Sequence, residues 1–359
     1  MAKLKIGIIG CGGIANGKHM SSLKTVKEVE MVAFCDIVEE NAKESAAKFG
    51  TPDAKVYTDY KELLKDKSID VVHVCTPNRS HSSISIDAMR AGKHVMCEKP
   101  MAINADEAAK MVKVAKETGK KLTIGYQNRH RADSILLKKI VDRGDLGEIY
   151  YAKALATRRR GVPTWGVFLN EYEQGGGPLI DIGTHALDLT LYVMNNYEPK
   201  MVVGTSFKKL NECQGGNFAG PWDPAANTVE DSAFGFIVMK NGATISLESS
   251  WALNIEDPIE ATTVLCGTKA GAKATSGKLT VNKEDLGKLV TVDYDLEGGS
   301  ILFYGNEGST PSEIETHQWI NSILTDTAPC VLPEQALVVS QILEAIYTSS
   351  KTGQPVYFD

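Results

Sequence analysis

The first 125 or so residues leave the chain little choice of architecture. Apolar runs of strand length, LKIGIIG, EMVAFCD, DVVHVCT, KHVMCEK and KLTIGYQ, alternate with segments of helical spacing, NAKESAAKFG, SISIDAMRAG and ADEAAKMVKVAKETG. Two of the helical segments close on Ala-Gly or Thr-Gly, as a helix C-terminus should. Strands that are apolar throughout, alternating with helices, build a parallel sheet covered on both faces. The expectation is a doubly wound α/β domain over residues 1–124.

Beyond that point the pattern changes. GEIYYAKALATR, KMVVGTSFKKL and DSAFGFIVMK read as longer strands, and Asn241-Gly242 is a type I′ hairpin signal. In ATISLESSW, Ile245, Leu247 and Trp251 fall on one face and Thr244, Ser246 and Glu248 on the other, which predicts an antiparallel sheet covered on one side. Helices are expected around 133–143, 180–195, 312–324 and 333–351, and a long loop over 211–228. The second domain, 125–359, is therefore expected to be an α+β domain on an open, mostly antiparallel sheet. It would serve substrate binding and oligomerisation, with a C-terminal helix able to pack back on the first domain.

Net charge is -6, which argues against nucleic acid and anionic membrane as partners, since both select basic surfaces. Three arginines at 158–160 are too local to change that. No run of 18 apolar residues exists, and MAKLKIGIIGCGG runs into a glycine turn rather than a leader cleavage site. Seven cysteines without a C-x-x-C pair read as small buried residues in a reducing, cytoplasmic compartment, not as disulfides or a metal site.

The first strand runs into Gly10-x-Gly12-x-x-Ala15, which also carries Gly13 and Ile14. The first glycine makes a tight turn and the second lets the backbone approach a pyrophosphate. The third small residue lets helix pack on strand, and the helix N-terminus offers N–H groups to phosphate. Asp36 ends the next strand, where it can accept hydrogen bonds from both ribose hydroxyls and repel a 2′-phosphate. This is a Rossmann-type dinucleotide site, with NAD favoured over NADP. Thr76, Pro77 and Asn78 end another strand where a loop would pass the cofactor, with His81 beyond them.

Glu98-Lys99-Pro100 places a lysine at the same end of the sheet, and Lys99-Pro100 is a candidate cis bond. Lysine suits acid/base work because burial shifts its pKa readily. In GGGPLIDIGTHALDL, Pro178 fits a first helical turn, and Asp181, His185, Asp188 and Tyr192 share one stripe. From the residues alone two readings of Asp181 and His185 stand. Either they face a cavity as a working pair, with the three glycines wrapped close to a ligand, or they are a helix N-terminal charge and a hydrogen-bonded core histidine. Asp188 reads as a structural partner. In RRRGVPTWG, Arg160 can clamp hydroxyls and Trp165 can stack on a sugar face. Tyr126, Gln127 and Asn128 follow a strand and could reach the same cleft, and Trp222 could close over it.

Together these motifs, in this order, resemble the Gfo/Idh/MocA (glucose–fructose oxidoreductase / inositol dehydrogenase) family over nearly the full length. CTPNRSH, GKHVMCEKP, GDLGEI and GGGPLIDIGTHALDL carry the resemblance with the glycine motif and Asp36. The resemblance implies a nicotinamide cofactor and oxidation or reduction at a sugar or cyclitol carbon. It also implies Lys99, Asp181 and His185 as the catalytic set. Glu98 and Lys99 would border the cofactor. Lys99, Gln127, Asn128, Arg160, Trp165, Asp181 and His185 would meet substrate, with no metal. The resulting expectation is an NAD-dependent dehydrogenase of a sugar, anhydrosugar or cyclitol, assembled as a homodimer or homotetramer through the open sheet. Two alternatives accompany it: a glycosidase that oxidises its sugar transiently with bound NAD, and a non-enzymatic NAD- and sugar-binding sensor.

Overall fold

The computed structural model describes residues 3–296 and 310–358. They form two compact units. The first holds residues up to Gln127 and takes back 310–337; the second holds 128–296 and 338–358.

The first unit is built on six parallel strands: β1 (Leu4–Ile9), β2 (Val29–Cys35), β3 (Lys55–Tyr57), β4 (Val71–Val74), β5 (His94–Cys97) and β6 (Leu122–Ile124). Their order is β3-β2-β1-β4-β5-β6, so the winding reverses between β1 and β4. Ligands of such sheets lie beyond the carboxyl ends at that reversal. The strands are continuous apolar runs because both faces are covered. Ile6, Ile8, Val71 and Met96 are fully buried in one core with Phe34 and Met20. Trp319 and Ile320, from helix Pro311–Leu324, complete that core. Thr310 caps this helix reciprocally with Glu313, and Pro311 opens it.

The second unit carries nine strands: β7 (Ile149–Thr157), β8 (Pro199–Phe207), β9 (Ser232–Met239), β10 (Thr244–Ser250), β11 (Ile259–Gly267), β12 (Ala270–Thr275), β13 (Lys278–Asp285), β14 (Lys288–Tyr294) and β15 (Val356–Tyr357). The order is β14-β13-β12-β11-β7-β10-β9-β8-β15, antiparallel throughout except where β10 runs parallel to β7. One face is covered by helix Thr184–Met194, packed on β7 and β11, and by helix Pro333–Thr352. Gly204 and Gly235 make room for the second of these: a Cβ at either would come within 2.6 Å of Ile346. The other face carries exposed Val203, Phe207 and Phe236.

The β9–β10 hairpin differs in detail from the expected type I′ turn. Gly242 donates to Met239 O and alone takes a positive φ, 90°; Asn241 does not. That is a type I turn closed by a glycine bulge, which asks left-handed backbone of one residue instead of two. Among the described residues all seven cysteines are free, and Cys11, Cys35, Cys75 and Cys97 are buried. No described helix is long and apolar enough to cross a membrane, and no described cluster of His, Cys, Asp and Glu could hold a metal ion.

Candidate active site

At the reversal in the first unit, Gly10 turns with φ 87°, and a Cβ there would meet the Cys75 carbonyl at 2.7 Å. Only glycine fits. Gly12 and Gly13 face open space, and Ile14 is half exposed beside them. Asn16 braces the loop by donating to Cys11 O (2.8 Å) and Gly12 O (3.0 Å). The helix that follows is wound as a π-helix over Ala15–Met20, an irregularity the residue pattern did not announce. Asp36 accepts from the Cys11 N–H (2.8 Å) and the Val38 N–H (2.9 Å), which fixes its carboxylate beside the glycine turn.

Thr76, after β4, keeps a buried hydroxyl with no partner among the described residues. Pro77 leads into a 3₁₀ turn over Asn78–Ser80. A glycine loop open to an approaching pyrophosphate, a fixed carboxylate at the end of β2 and an unspent hydroxyl at the end of β4 together fit a dinucleotide. His81 opens the helix His81–Arg90, in keeping with its place after the loop. Its ring is buried, with one nitrogen 2.7 Å from Pro100 O and the other 2.8 Å from Thr76 O. It braces the Lys99–Pro100 turn, whose peptide bond is cis.

Glu98 is also turned inward. Its Oε1 accepts from Lys18 Nζ and from His19 Nε2, both at 2.7 Å, and its Oε2 accepts from the Lys99 N–H at 3.1 Å. Burial alone would raise the Glu98 pKa, but Lys18 and His19 hold it well below the usual carboxylate range. Gln127 gives its amide oxygen to Lys18 Nζ at 3.2 Å.

In the second unit the glycines before the D-x-G-x-H segment wrap around protein. A Cβ on Gly176 would stand 2.2 Å from Tyr347 Oη, and one on Gly177 would stand 2.3 Å from Glu230 O. The close approach is therefore to Glu230 and Tyr347, not to a ligand as the sequence suggested. Glu230 accepts from the Gly177 N–H (2.8 Å), the Leu179 N–H (3.2 Å) and Tyr347 Oη (2.8 Å). A carboxylate at a helix start satisfies N–H groups that have no partner within the helix. Ser249 adds a bond to Pro178 O at 2.7 Å.

This clamp precedes a π-turn, Leu179–Gly183, that runs into the α-helix Thr184–Met194. Asp181 lies in the π-turn and His185 in the helix, both half-buried among fully buried neighbours. Four residues is close to one turn in either winding, so both stay on one side. Trp251, 1% exposed, donates its Nε1–H to Asp181 Oδ2 at 3.0 Å. Asp188 is structural, as read: it takes both a 2.9 Å and a 2.6 Å bond from buried Arg129. Tyr192, further along the stripe, lies under the same guanidinium at 4.6 Å. The lower half of the stripe is thus spent on Arg129, and Asn128 lies beside it in the 3₁₀ turn Gln127–His130.

Arg158 pairs with Glu260 (2.9 Å and 2.5 Å), and Asp181 lies close enough to favour its charge. Arg160 donates to Asn254 at 2.7 Å. Trp165 is 52% exposed and meets Phe168 and Phe218 edge-on at 5.9 Å and 6.0 Å. Trp222 is buried within its own loop, its Nε1 donating to Asn211. It therefore holds the loop and does not close over a site. Trp251, Glu230 and Tyr347 were missed from the sequence because nothing in their spacing marks them. Trp251 read as one more apolar face residue of a strand.

These features define a two-part oxidoreductase: a dinucleotide-binding parallel sheet, joined in the chain to an open-sheet unit that presents a fixed Asp and a His on one helix. The chain belongs to the Gfo/Idh/MocA family. Residues 4–126 match the oxidoreductase family's NAD-binding Rossmann fold, and residues 135–273 match the GFO/IDH/MocA C-terminal domain. NAD is the cofactor that this match and the glycine crevice support. The chain is 38% identical to D-glucoside 3-dehydrogenase of Escherichia coli K12 over 98% of this chain and 97% of that one. It is 36% identical to inositol 2-dehydrogenase of Salmonella typhimurium over 40% of this chain and 43% of that one. Among solved structures, aldose-aldose oxidoreductase from Caulobacter crescentus, complexed with glycerol, superposes with TM-score 0.82 at 25% identity, covering 99% and 100% of the chains. Levoglucosan dehydrogenase with NADH and levoglucosan shares the fold at TM-score 0.84 and 21% identity, covering 99% of each chain.

Proposed function

We propose that the protein oxidises a secondary hydroxyl of a sugar, anhydrosugar or cyclitol with NAD, and that a glucoside oxidised at its third carbon is the first substrate to test. The observation that carries this is the Asp181 carboxylate, held by the buried Trp251 N–H four residues before His185. An ionisable pair on a largely apolar helix has a use if it handles protons. The full-length similarity to D-glucoside 3-dehydrogenase favours a glucoside.

Lys99, His185 and Asp181 are the catalytic groups in this reading. NAD, when bound, supplies the hydride acceptor. Lys99 donates an N–H to the substrate oxygen, and His185 takes the proton from that hydroxyl as hydride leaves the carbon. Asp181 favours the imidazolium that results and fixes the ring's orientation. Gly10, Gly12, Gly13, Ile14, Ala15, Asp36, Thr76, Pro77 and Asn78 hold the cofactor. Arg160, Trp165 and Asn128 meet the sugar, with Trp165 and Phe218 offering ring faces for its C–H groups. Glu98, His81 and Gln127 support from behind.

The exposed aromatic face of the open sheet supports a homo-oligomer of two or four chains. Phe207 and Phe234 pair there at 6.0 Å, and Val203 and Phe236 are opposite one another in register. The buried free cysteines support a cytoplasmic location.

The test is NADH formation by purified protein across glucosides, free aldoses, anhydrosugars and cyclitols. Stoichiometric NADH and ketone from at least one is the expected result. Glycoside cleavage without net NADH would install the redox-glycosidase reading. Binding of sugar and NAD with no turnover on any of them would install the sensor.

A further inference from the structure

The first unit buries a charge cluster that no step above uses. Lys18 and His19 come from the π-helix after the glycine loop, and the π-winding turns both inward, to 8% and 1% exposure. Lys18 Nζ stands between two carboxylates, Glu98 Oε1 at 2.7 Å and Glu315 Oε2 at 3.1 Å. Gly125 completes the chamber by lacking a side chain: a Cβ there would press on Glu98 Oε1 at 2.9 Å and Lys18 Nζ at 3.1 Å.

The histidines fix one proton arrangement. His19 Nε2 faces the Glu98 carboxylate, which can only accept, so Nε2 carries the proton. His19 Nδ1 lies 2.9 Å from His73 Nδ1, and burial keeps both rings neutral. His73 Nδ1 must then donate. This leaves His73 Nε2 a bare lone pair, fully buried, with no partner among the described residues. A core histidine with one idle nitrogen loses its hydration there and gains nothing, so its return lies in what Nδ1 does. What it does is fix His19 on Glu98.

Everything in the cluster converges on Glu98 Oε1. The other oxygen, Oε2, accepts from the Lys99 backbone N–H. Two peptide units further on, past the Lys99–Pro100 bond, Pro100 O is held by His81. We infer that Lys18, with His19 and His73 behind it, is a positioning residue for Lys99, acting through Glu98 to set where the Lys99 side chain starts. The inference rests on the reading of Lys99 as a catalytic group. It also explains why the cluster lies directly behind the glycine loop: the helix whose first turn meets the cofactor has its next turn, at Lys18, holding the catalytic strand end.

The experiment compares Lys18→Met, Lys18→Arg, His19→Leu and Lys99→Met with the unmodified enzyme, on whichever sugar proves the best substrate. Steady-state kcat and KM are measured beside NADH affinity by fluorescence and thermal melting. Ile320→Ala serves as a stability control, because it truncates the core of the same unit. Lys18→Met should lower kcat about 10- to 100-fold, the scale of a catalytic group displaced by about an ångström. KM for NAD and NADH affinity should stay within about threefold, and Lys18→Arg should regain most of the loss. Ile320→Ala should melt earlier with kcat unchanged at 25 °C. If Lys18→Met does not fold, His19→Leu asks the same question, since it removes one donor from Glu98 and leaves the Lys18 charge. Its kcat should fall at least about fivefold on the same displacement argument. Folded Lys18 or His19 variants with unmodified kcat overturn the inference, as does a kcat loss in Lys18→Met that Ile320→Ala reproduces. If Lys99→Met also keeps full turnover, the reading of Lys99 itself fails. If Lys99→Met loses turnover and the Lys18 and His19 variants do not, only the positioning role fails.

Discussion

Trp251 supplies one hydrogen bond and much packing, and the two can be separated. Trp251→Phe removes the Nε1–H that meets Asp181 and keeps an aromatic ring in the core. A bond to a charged group is worth about 1.5–3 kcal/mol, so turnover should fall about tenfold or more while the fold persists. Steady-state kinetics with near-ultraviolet circular dichroism checks this. Asp181 and His185 should behave as a unit. Asp181→Ala and His185→Ala should each remove most of the rate, and the double variant should lose little more than the worse single. Losses that multiply in the double variant would mean the two act separately. At the cofactor end, a 2′-phosphate near the fixed Asp36 carboxylate is repelled, so NAD should be used better than NADP, and Asp36→Ser should narrow the gap in kcat/KM. At this scale the sequence was readable where geometry carries a motif, as at the Gly10 turn. It was silent where a residue acts through a distant partner. Nothing near Lys18 in GKHM indicates that its ammonium lies between Glu98 and Glu315.

Between Gly175 and Met194 the chain changes winding, and its supports are specific. Gly177→Ala would drive a Cβ against the Glu230 carbonyl and carboxylate, and Gly176→Ala would drive one into Tyr347. Backbone at Glu230 O cannot swing away, so Gly177→Ala should cost stability of the order of overpacking, about 1–3 kcal/mol, and take activity with it. Denaturant melts of the two alanine variants test the ranking, with Gly177→Ala expected to be the more damaging. The alternation of apolar runs and helices was legible for the parallel sheet because strands buried on both faces spell themselves out in Val and Ile. The same reading recovered the helices of the second unit. Both π-turns escaped it, because one extra residue in a turn leaves the composition unchanged. The hairpin type escaped it too, since Asn-Gly accommodates more than one turn and the ladder selects among them.

Across the whole molecule, protonation should divide the two units. His19, His73, His81 and His94 all lie in the first, and burial lowers the pKa of each below the ordinary imidazole value of about 6.5. Unfolded, these rings take up protons near 6.5; folded, they resist. Stability should therefore begin to fall as pH drops below about 6.5, by about 1.4 kcal/mol per pH unit for each ring that stays neutral. Glu98, held low by Lys18 and His19 against its own burial, adds a further loss as pH falls below the usual carboxylate value. Melting temperature recorded from pH 8 to pH 4 should show the decline starting before the carboxylate range. His73→Leu should flatten its first part. On the open sheet, Phe207→Glu and Phe236→Lys should shift the mass measured by light scattering toward a single chain.

Trp319, Ile320 and Glu315 reach the first unit from the far end of the chain. A gene fragment stopped at Gln127 would make all six parallel strands and still lack part of their core and one counter-charge of Lys18. Anyone wishing to transplant the cofactor module must splice 310–337 onto it. A ribosome releasing this chain must likewise wait until residues 310–337 have emerged before that core can close.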